Sequence, residues 1–454
     1  MKVAKFGGSS LADAKQIKKV SQIIKNDPKI RIVVVSAPGK RSDDDIKVTD
    51  LLIALYSNHM AGLDTEEAIQ TILNRYQAIV DGLSIETDLI EKFSSILHSY
   101  LTDIKQADRL LDALKACGEN FNAQLISAYF NQVGIPTDYF SPKDVGMIVT
   151  DEPGNAQLLE SSYEQIAKIR NHDKVIIVPG FFGYSKNGDI VTFSRGGSDI
   201  SGAIIARGVD AEIYENFTDV SYIYSAHPGI VRKPYHLDEI TYREMRELSY
   251  SGFGVFHDEA IAPLYHHRTP IMIKNTNEPE VRGTKIVPER PLNSNMPVVG
   301  IAGDEGFTSI TISKYLLNRE TGFARRLLQI FEDLGVSIEH MPTGIDDISV
   351  IVRTSRLEAA TSLEIIKRKI QEKLKPDTIS HESNLSMICI VGEGMKDKVG
   401  TASTATTALA DKGINISMIN QGASEISMFF AIPTNQQNKA IRALYSNFFK
   451  DLHN

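Results

Sequence analysis

The chain has 454 residues, too many for one compact core, so two or three domains are expected. Hydrophobic residues make up 42% and charged residues 23%, the balance of a soluble globular protein, and the formal net charge is -8. That charge, without any long basic run, argues against nucleic acid or an anionic membrane as the main partner.

Lys2 and Lys5 are not followed by the apolar stretch of a signal peptide, and no apolar run approaches the ~18 residues of a membrane span, so a cytoplasmic location is expected. Two cysteines, Cys117 and Cys389, cannot build a disulfide framework and fit small buried apolar roles in a reducing compartment. The histidines are scattered with no zinc-site spacing, so no metal-ligating set is expected.

In chain order, several short apolar runs end in turn residues. Val3 to Phe6 leads into Gly7-Gly8, and Ile32 to Val35 into Ser36-Ala37-Pro38-Gly39. Val175 to Val178 leads into Pro179-Gly180, Glu212-Ile213-Tyr214 towards Thr218-Asp219, and Pro270 to Ile273 into Lys274-Asn275-Thr276. Continuous apolar runs of this kind predict strands buried on both faces of a parallel sheet. Helical patterns separate them; Ile17, Val20 and Ile24 recur at helical spacing after Ser10. The expectation is a layered α/β domain over about residues 1–290, with a helical excursion at about 60–125 where Gly and Pro are sparse.

Residues 288–297, PERPLNSNMP, predict a linker. An internal repeat follows at an offset of 78 residues: Thr308-Ser-Ile-Thr-Ile with Ser386-Met-Ile-Cys-Ile, Gly335-Val-Ser-Ile with Gly413-Ile-Asn-Ile, and Asp347-Ile-Ser-Val with Glu425-Ile-Ser-Met. Each copy alternates apolar and polar residues and carries a helix, Phe323 to Leu334 or Thr401 to Ala410. Residues 297–454 are therefore expected to hold two small α+β modules of the split βαβ kind, at about 305–376 and 377–454.

Three stretches bear on chemistry. Lys5-Phe6-Gly7-Gly8-Ser9-Ser10 ends a strand, lets backbone N–H groups approach an anion and opens a helix, with Lys5 as a point charge. It is not GxxxxGK[ST], so a P-loop is excluded, and a Gly-Gly pair alone is also an ordinary turn. Phe193-Ser194-Arg195-Gly196-Gly197-Ser198-Asp199 is a second glycine-pair entry, with an arginine suited to carboxylate or phosphate and with Ser198 or Asp199 able to cap a helix. Thr218-Asp219, after a strand, could meet a nucleotide, although such loops are common.

Together KFGGSS, SRGGSD, the TDVSYIY strand and Gly118-Glu119-Asn120 resemble the aspartate kinases of the amino-acid kinase superfamily, and the tail resembles the paired ACT domains that follow the kinase there. The resemblance runs from Lys5 to about Leu444. It implies a three-layer α/β sandwich with a mainly parallel sheet, plus two ACT-like βαββαβ modules. It implies phosphorylation of the β-carboxylate of L-aspartate by ATP, with Mg²⁺ carried by the nucleotide, as the first step towards lysine, threonine and methionine.

The resemblance also implies roles. Lys5 and Asp199 would be catalytic, Lys5 at the transferred phosphoryl group and Asp199 organising Lys5 and substrate. Thr49, Glu119, Phe181, Arg195 and Ser198 would hold aspartate, Glu119 through its amine and Arg195 through its α-carboxylate. Gly7, Gly8, Ser9, Gly196, Gly197, Thr218, Asp219 and Tyr224 would join Lys5 on the nucleotide. In the tail, Leu317 to Phe323 with Ser337, Ile338, Glu339, Thr343 and Gly344 would bind an effector, lysine or threonine or both, with Glu339 on its amine. Asn415, Ile416 and Gln421 occupy similar places in the second copy. ACT pairing implies a homodimer or larger homo-oligomer.

Two stretches depart from the family. After Tyr224, Asp-Pro-Arg is replaced by His227-Pro228-Gly229, leaving Arg232 and Lys233 as nearby cations, and a nucleotide-contacting lysine is replaced by Gly254. These departures motivate one alternative, a non-catalytic amino-acid sensor with a degenerate kinase domain; intact Lys5, Arg195 and Asp199 oppose it. Another alternative is a kinase of glutamate or N-acetylglutamate. Glu119 opposes an acylated substrate, which offers no ammonium.

Overall fold

The computed structural model describes residues 1–194, 196–292 and 296–450; Arg195, part of the expected linker and the last four residues lie outside the described set. The chain divides into two units. The first comprises 1–223, 237–246 and 254–290, and the second 224–236, 247–253 and 291–454.

The first unit is built on an eight-stranded sheet. Its strands are β1 (Lys2–Phe6), β2 (Ile30–Val35), β3 (Thr137–Tyr139), β4 (Val175–Pro179), β5 (Ile213–Thr218), β6 (Glu239–Thr241), β7 (Ile271–Asn275) and β8 (Thr284–Val287), in the order β6-β8-β7-β5-β1-β2-β4-β3. The five runs read as strands from sequence are β7, β5, β1, β2 and β4, and they form the contiguous parallel centre. The short β3, β6 and β8 were not foreseen; β8 runs antiparallel to β7, and β6 runs parallel to β8, so both oppose the central strands. β1 lies between β2 and β5, with Lys5 level with Val34 on one side and Asn216 on the other.

Helix α1 (Ala14–Asn26) starts where Asp13 accepts a hydrogen bond from the Gln16 amide at 2.9 Å. Its Ile17, Val20 and Ile24 are buried, as their spacing requires. The helical excursion is a run of α2 (Val48–Met60), α3 (Glu66–Leu83), α4 (Leu89–Asp103) and α5 (Ala107–Gln132), all contributing to one apolar core with the sheet. In that core Phe93 stacks on Phe121 with centroids 4.0 Å apart, and Tyr76 meets the edges of both rings. Among the described residues no helix is long and apolar enough to cross a membrane.

The second unit carries one five-stranded antiparallel sheet, from β9 (Gly300–Ser313), β10 (Asp347–Arg353), β11 (Thr378–Val391), β12 (Met418–Gln421) and β13 (Ser427–Pro433), in the order β10-β9-β11-β13-β12. The repeat helices are Phe323–Asp333 and Thr401–Ala410, where the sequence placed them. Two cores sit on this sheet, one joining Ile310 and Ile312 to Phe323, Leu327, Val350 and Ile370, the other joining Ile388 and Ile390 to Leu409, Phe430 and Ile441. The second core also takes in Val298 and Ile301, which precede the first module in the chain.

Phe93 is fully buried and stacked, so truncation leaves a cavity lined by rings. Phe93→Ala is expected to lower the unfolding free energy by about 3–5 kcal/mol, measured by urea denaturation followed by circular dichroism.

Candidate active site

The site forms at the carboxyl ends of the central strands, where parallel α/β sheets place ligands. Lys5 is at the end of β1, buried, and its Nζ lies 2.6 Å from Oδ1 of Asp199. Asp199 sits in the first turn of α6 (Gly197–Gly208). The same Oδ1 accepts a hydrogen bond from Asn216 Nδ2 at 2.7 Å. Since Asn216 is level with Lys5 across the β1–β5 pairing, sheet register fixes both partners of the carboxylate.

Beyond Lys5 the backbone turns tightly. The Gly7 amide donates to the Phe217 carbonyl at 3.0 Å, and the Gly39 amide donates to the Gly8 carbonyl at 2.9 Å. A Cβ on Gly39 would lie 2.5 Å from the Gly8 carbonyl carbon, so the two backbones touch only because this residue is glycine. Gly196, at φ 74°, opens α6 in the left-handed region, and a Cβ there would meet His257 at 2.4 Å. A Cβ on Gly180 would lie 2.9 Å from Ser198, which brings the end of β4 onto the start of α6.

Helix α5 supplies Glu119. Gly118 lets that helix reach the turn after β2, since a Cβ there would come 2.8 Å from the Ala37 Cβ. Asp112 anchors the same helix, accepting from the Gly154 and Thr192 amides at 2.8 Å and from the Thr192 hydroxyl at 2.7 Å. Glu119 is buried, and burial pushes its carboxyl up to about 7 against the opposing pull of the Ala37 amide, the Ser198 hydroxyl and Lys5. Its Oε2 has no hydrogen-bond partner among the described residues.

A cleft of about 600 Å³ is lined by Gly8, Ser9, Thr49, Glu119 and Asp219, all expected from sequence. Residues 36–43 and Lys47 line it too, and the only sign of them in the sequence is a strand ending in Ser-Ala-Pro-Gly. Phe181 takes a positive φ of 77°, its amide donates to Ser201 Oγ at 2.9 Å, and its ring closes on Gly197. Lys115 Nζ stands 5.4 Å from the centre of that ring. Thr218 donates to Asp219 at 3.2 Å. Tyr224 belongs to the second unit, and Arg195 lies outside the described residues. A larger cleft, about 740 Å³ and lined by Tyr163, Ile204, Arg207 and Arg246, contains none of the expected site residues.

In the second unit the expected effector residues separate into two groups. Thr343 and Gly344 line a polar cleft of about 580 Å³ with Thr311, Ser349, His381 and Glu382. Ser337 and Glu339 do not line it. Glu339 is buried against Arg353 and Arg356, at 3.6 and 3.5 Å, and accepts a hydrogen bond from Tyr250. Ser337 accepts from Arg356 at 2.8 Å. Ile338 is partly buried against the first module's core. Both guanidinium groups stand at ion-pair distance from Oε1 of Glu339, yet that oxygen accepts no hydrogen bond among the described residues.

A model of the amino acid kinase family matches residues 1–275, and a model of the ACT domain matches residues 388–448. The chain belongs to the amino acid kinase family, in its aspartokinase branch with an ACT-bearing tail. Across 450 residues, 99% of each chain, it is 50% identical to Aspartokinase 3 of Bacillus subtilis. It is 26% identical to the chloroplastic Aspartokinase 1 of Arabidopsis thaliana, over 99% of this chain and 80% of that one. Its structure is similar to that of Clostridium acetobutylicum aspartate kinase, with a TM-score of 0.85, 37% identity and coverage of 99% and 100% of the two chains. The fold is also that of Escherichia coli aspartokinase III, solved with aspartate and ADP, at a TM-score of 0.82, 23% identity and coverage of 99% and 100%.

A methyl group on Gly39 must displace the Gly8 carbonyl, and with it the turn beside Lys5. Gly39→Ala is expected to lower kinase turnover by about 100-fold, the scale of an ångström-sized misplacement, in a protein that still melts cooperatively. Turnover assays paired with thermal melts check it.

Proposed function

We propose that the chain transfers the γ-phosphoryl group of ATP to the β-carboxylate of L-aspartate, releasing ADP and 4-phospho-L-aspartate. The observation that carries this is the buried Glu119 carboxyl, with one unpaired oxygen, on the same cleft as Gly8 and Ser9. An aspartate ammonium suits that oxygen, and kinship with the aspartokinases supports the substrate.

The β-carboxylate is ionised at neutral pH and needs no general base. One of its oxygens bonds to the γ-phosphorus while the bond to the leaving ADP oxygen breaks. What opposes the reaction is the approach of two anions, so positioning and charge supply the catalysis. Lys5, held by Asp199, would meet the transferred group, and the backbone donors at Gly7, Gly8 and Ser9 would cradle phosphate oxygens. Gly196 and Gly197 would open α6 towards the nucleotide, and Tyr224 would join them by its sequence resemblance. Asp219, one of the carboxylates lining the cleft, would hold the Mg²⁺ carried by the nucleotide, which would supply charge screening for the phosphates. Thr49, Phe181, Ser198 and Arg195 would complete the aspartate side, Arg195 by its sequence resemblance.

In this proposal residues 1–290 are the catalytic region and 297–454 the regulatory one, answering to lysine, threonine or both, in a cytoplasmic homodimer or larger oligomer. The reaction opens the route to lysine, threonine and methionine.

A coupled assay of ADP release should show turnover with aspartate and none with N-acetylglutamate. Turnover with glutamate alone would reassign the substrate, and no turnover with any acid would leave the sensor. Lys5→Ala should lower kcat by about 10²–10³-fold. The pH profile gives a separate check. The ammonium needs Glu119 ionised, and a carboxyl raised to about 7 protonates as pH falls below that value. Values of kcat/KM for aspartate should therefore drop by about tenfold per pH unit below ~7. Glu119→Gln should lose this limb; a profile unchanged by that substitution refutes the amine contact.

A further inference from the structure

On the same cleft as Glu119, the loop of residues 39–47 is held by a charged group of its own. Arg75, on α3, is buried, 6% exposed. Its guanidinium donates to Asp45 Oδ2 at 2.6 Å and to the Gly39 carbonyl at 2.7 Å. Asp45 also accepts from Arg41, from the amide at 2.9 Å, from Nε at 2.8 Å and from NH2 at 2.9 Å. The Arg41 hydrogen bond leads the contacts that hold the Asp45 carboxyl well below the usual range, so the clamp is charged at neutral pH. Gly39, the residue Arg75 grips, is the one whose backbone lies against Gly8. At the other end of the loop Lys47 lines the cleft, exposed, with no ion-pair partner among the described residues.

We propose that Arg75 is a positioning residue for phosphoryl transfer: with Asp45 it clamps the 39–47 loop, seating Gly39 against Gly8 and presenting Lys47 to the anionic ligand. Arg75 touches no substrate. It acts through the loop. Its forked guanidinium satisfies a carboxylate and a carbonyl at once, which a lysine ammonium on a different stem cannot reproduce at both. The role rests on the phosphoryl-transfer function proposed above.

The test uses the full chain. Wild-type turnover with ATP and aspartate is measured first; its absence overturns the functional reading and the positioning role with it. Given wild-type turnover, Arg75→Met, Arg75→Lys and Lys47→Gln are compared for kcat, KM and melting temperature. Removing one partner of a buried ion pair destabilises by leaving the other charge uncompensated, and here Asp45 escapes that penalty because it keeps Arg41. Arg75→Met is therefore expected to melt within about 3 °C of wild type, yet lose about 100-fold in kcat and equally in kcat/KM. Arg75→Lys restores one of two contacts and should lose about tenfold. Lys47→Gln, at an exposed position, should lose about tenfold in kcat/KM with an unchanged melting temperature. Arg75→Met within twofold of wild-type kcat overturns the positioning role. So does a loss in both Arg75 variants that tracks a fall in melting temperature. Wild-type kcat/KM in Lys47→Gln overturns the part assigned to that cation.

Discussion

The ion pair between Lys5 and Asp199 is the constraint on which the catalytic cleft depends. A lysine at the end of a central strand is desolvated by the strands on both sides, and it is tolerated there only with a matched carboxylate. Asp199 provides that match from another element, so α6 must begin where β1 ends. The chain meets this demand with glycine. Gly196 makes the left-handed entry into the helix, and Gly180 lets β4 approach it. Asn216 then holds the carboxylate in line with the strand register. Side chains from three elements are fixed by one charge pair.

Glu119 shows the opposite electrostatic condition. Lys5 is paired, whereas the Glu119 carboxyl is buried with one oxygen unpaired and is raised to about 7 as a result. Carrying that charge buried and unmatched is unfavourable, and the ammonium of the proposed substrate would relieve it. A site of this kind discriminates by what a wrong ligand leaves unmatched: an acylated amine would leave the carboxylate desolvated with no counter-charge. In the proposed function, the cost carried in the free protein would be the source of selectivity in the bound one.

The parts legible in the sequence were those encoded by local pattern. Val33 to Val35 and Ile176 to Val178 read as buried strands because both faces of a central strand are apolar, and they lie there. The edge strands Thr137–Tyr139 and Thr284–Val287 are short and mixed in character, and they take their conformation from neighbours. The repeat was visible because three blocks share one offset. The glycine pairs were visible because close backbone approach needs glycine. Arg75 was not, since a lone arginine on an amphipathic helix reads as a solvated charge until Asp45 and Gly39 are brought beneath it. Asp112 was missed for the same reason, as its donors come from residues 154 and 192. In the tail, the strand pattern placed Glu339 but could not reveal that Arg353 and Arg356 close on it.

The tail also shows why a repeat in sequence need not become two separate bodies. Strands β9 and β11 are each 14 residues long and run antiparallel along their length. Residues 307–313 of β9 pair with the first half of β11 and carry the first module's core side chains. Residues 300–305 pair with 386–391 and carry Ile301 into the second module's core. One strand therefore serves both modules, and the pairing shifts register where one half gives way to the other, between Glu305 and Ser309, around Gly306 at φ 87°. Hydrogen bonding continues on either side of that irregularity, so neither module can rotate freely against its neighbour without breaking the shared ladder. Any strain that a ligand places on one copy has a continuous backbone path into the other, whereas two modules joined only by a flexible linker would absorb it in the linker.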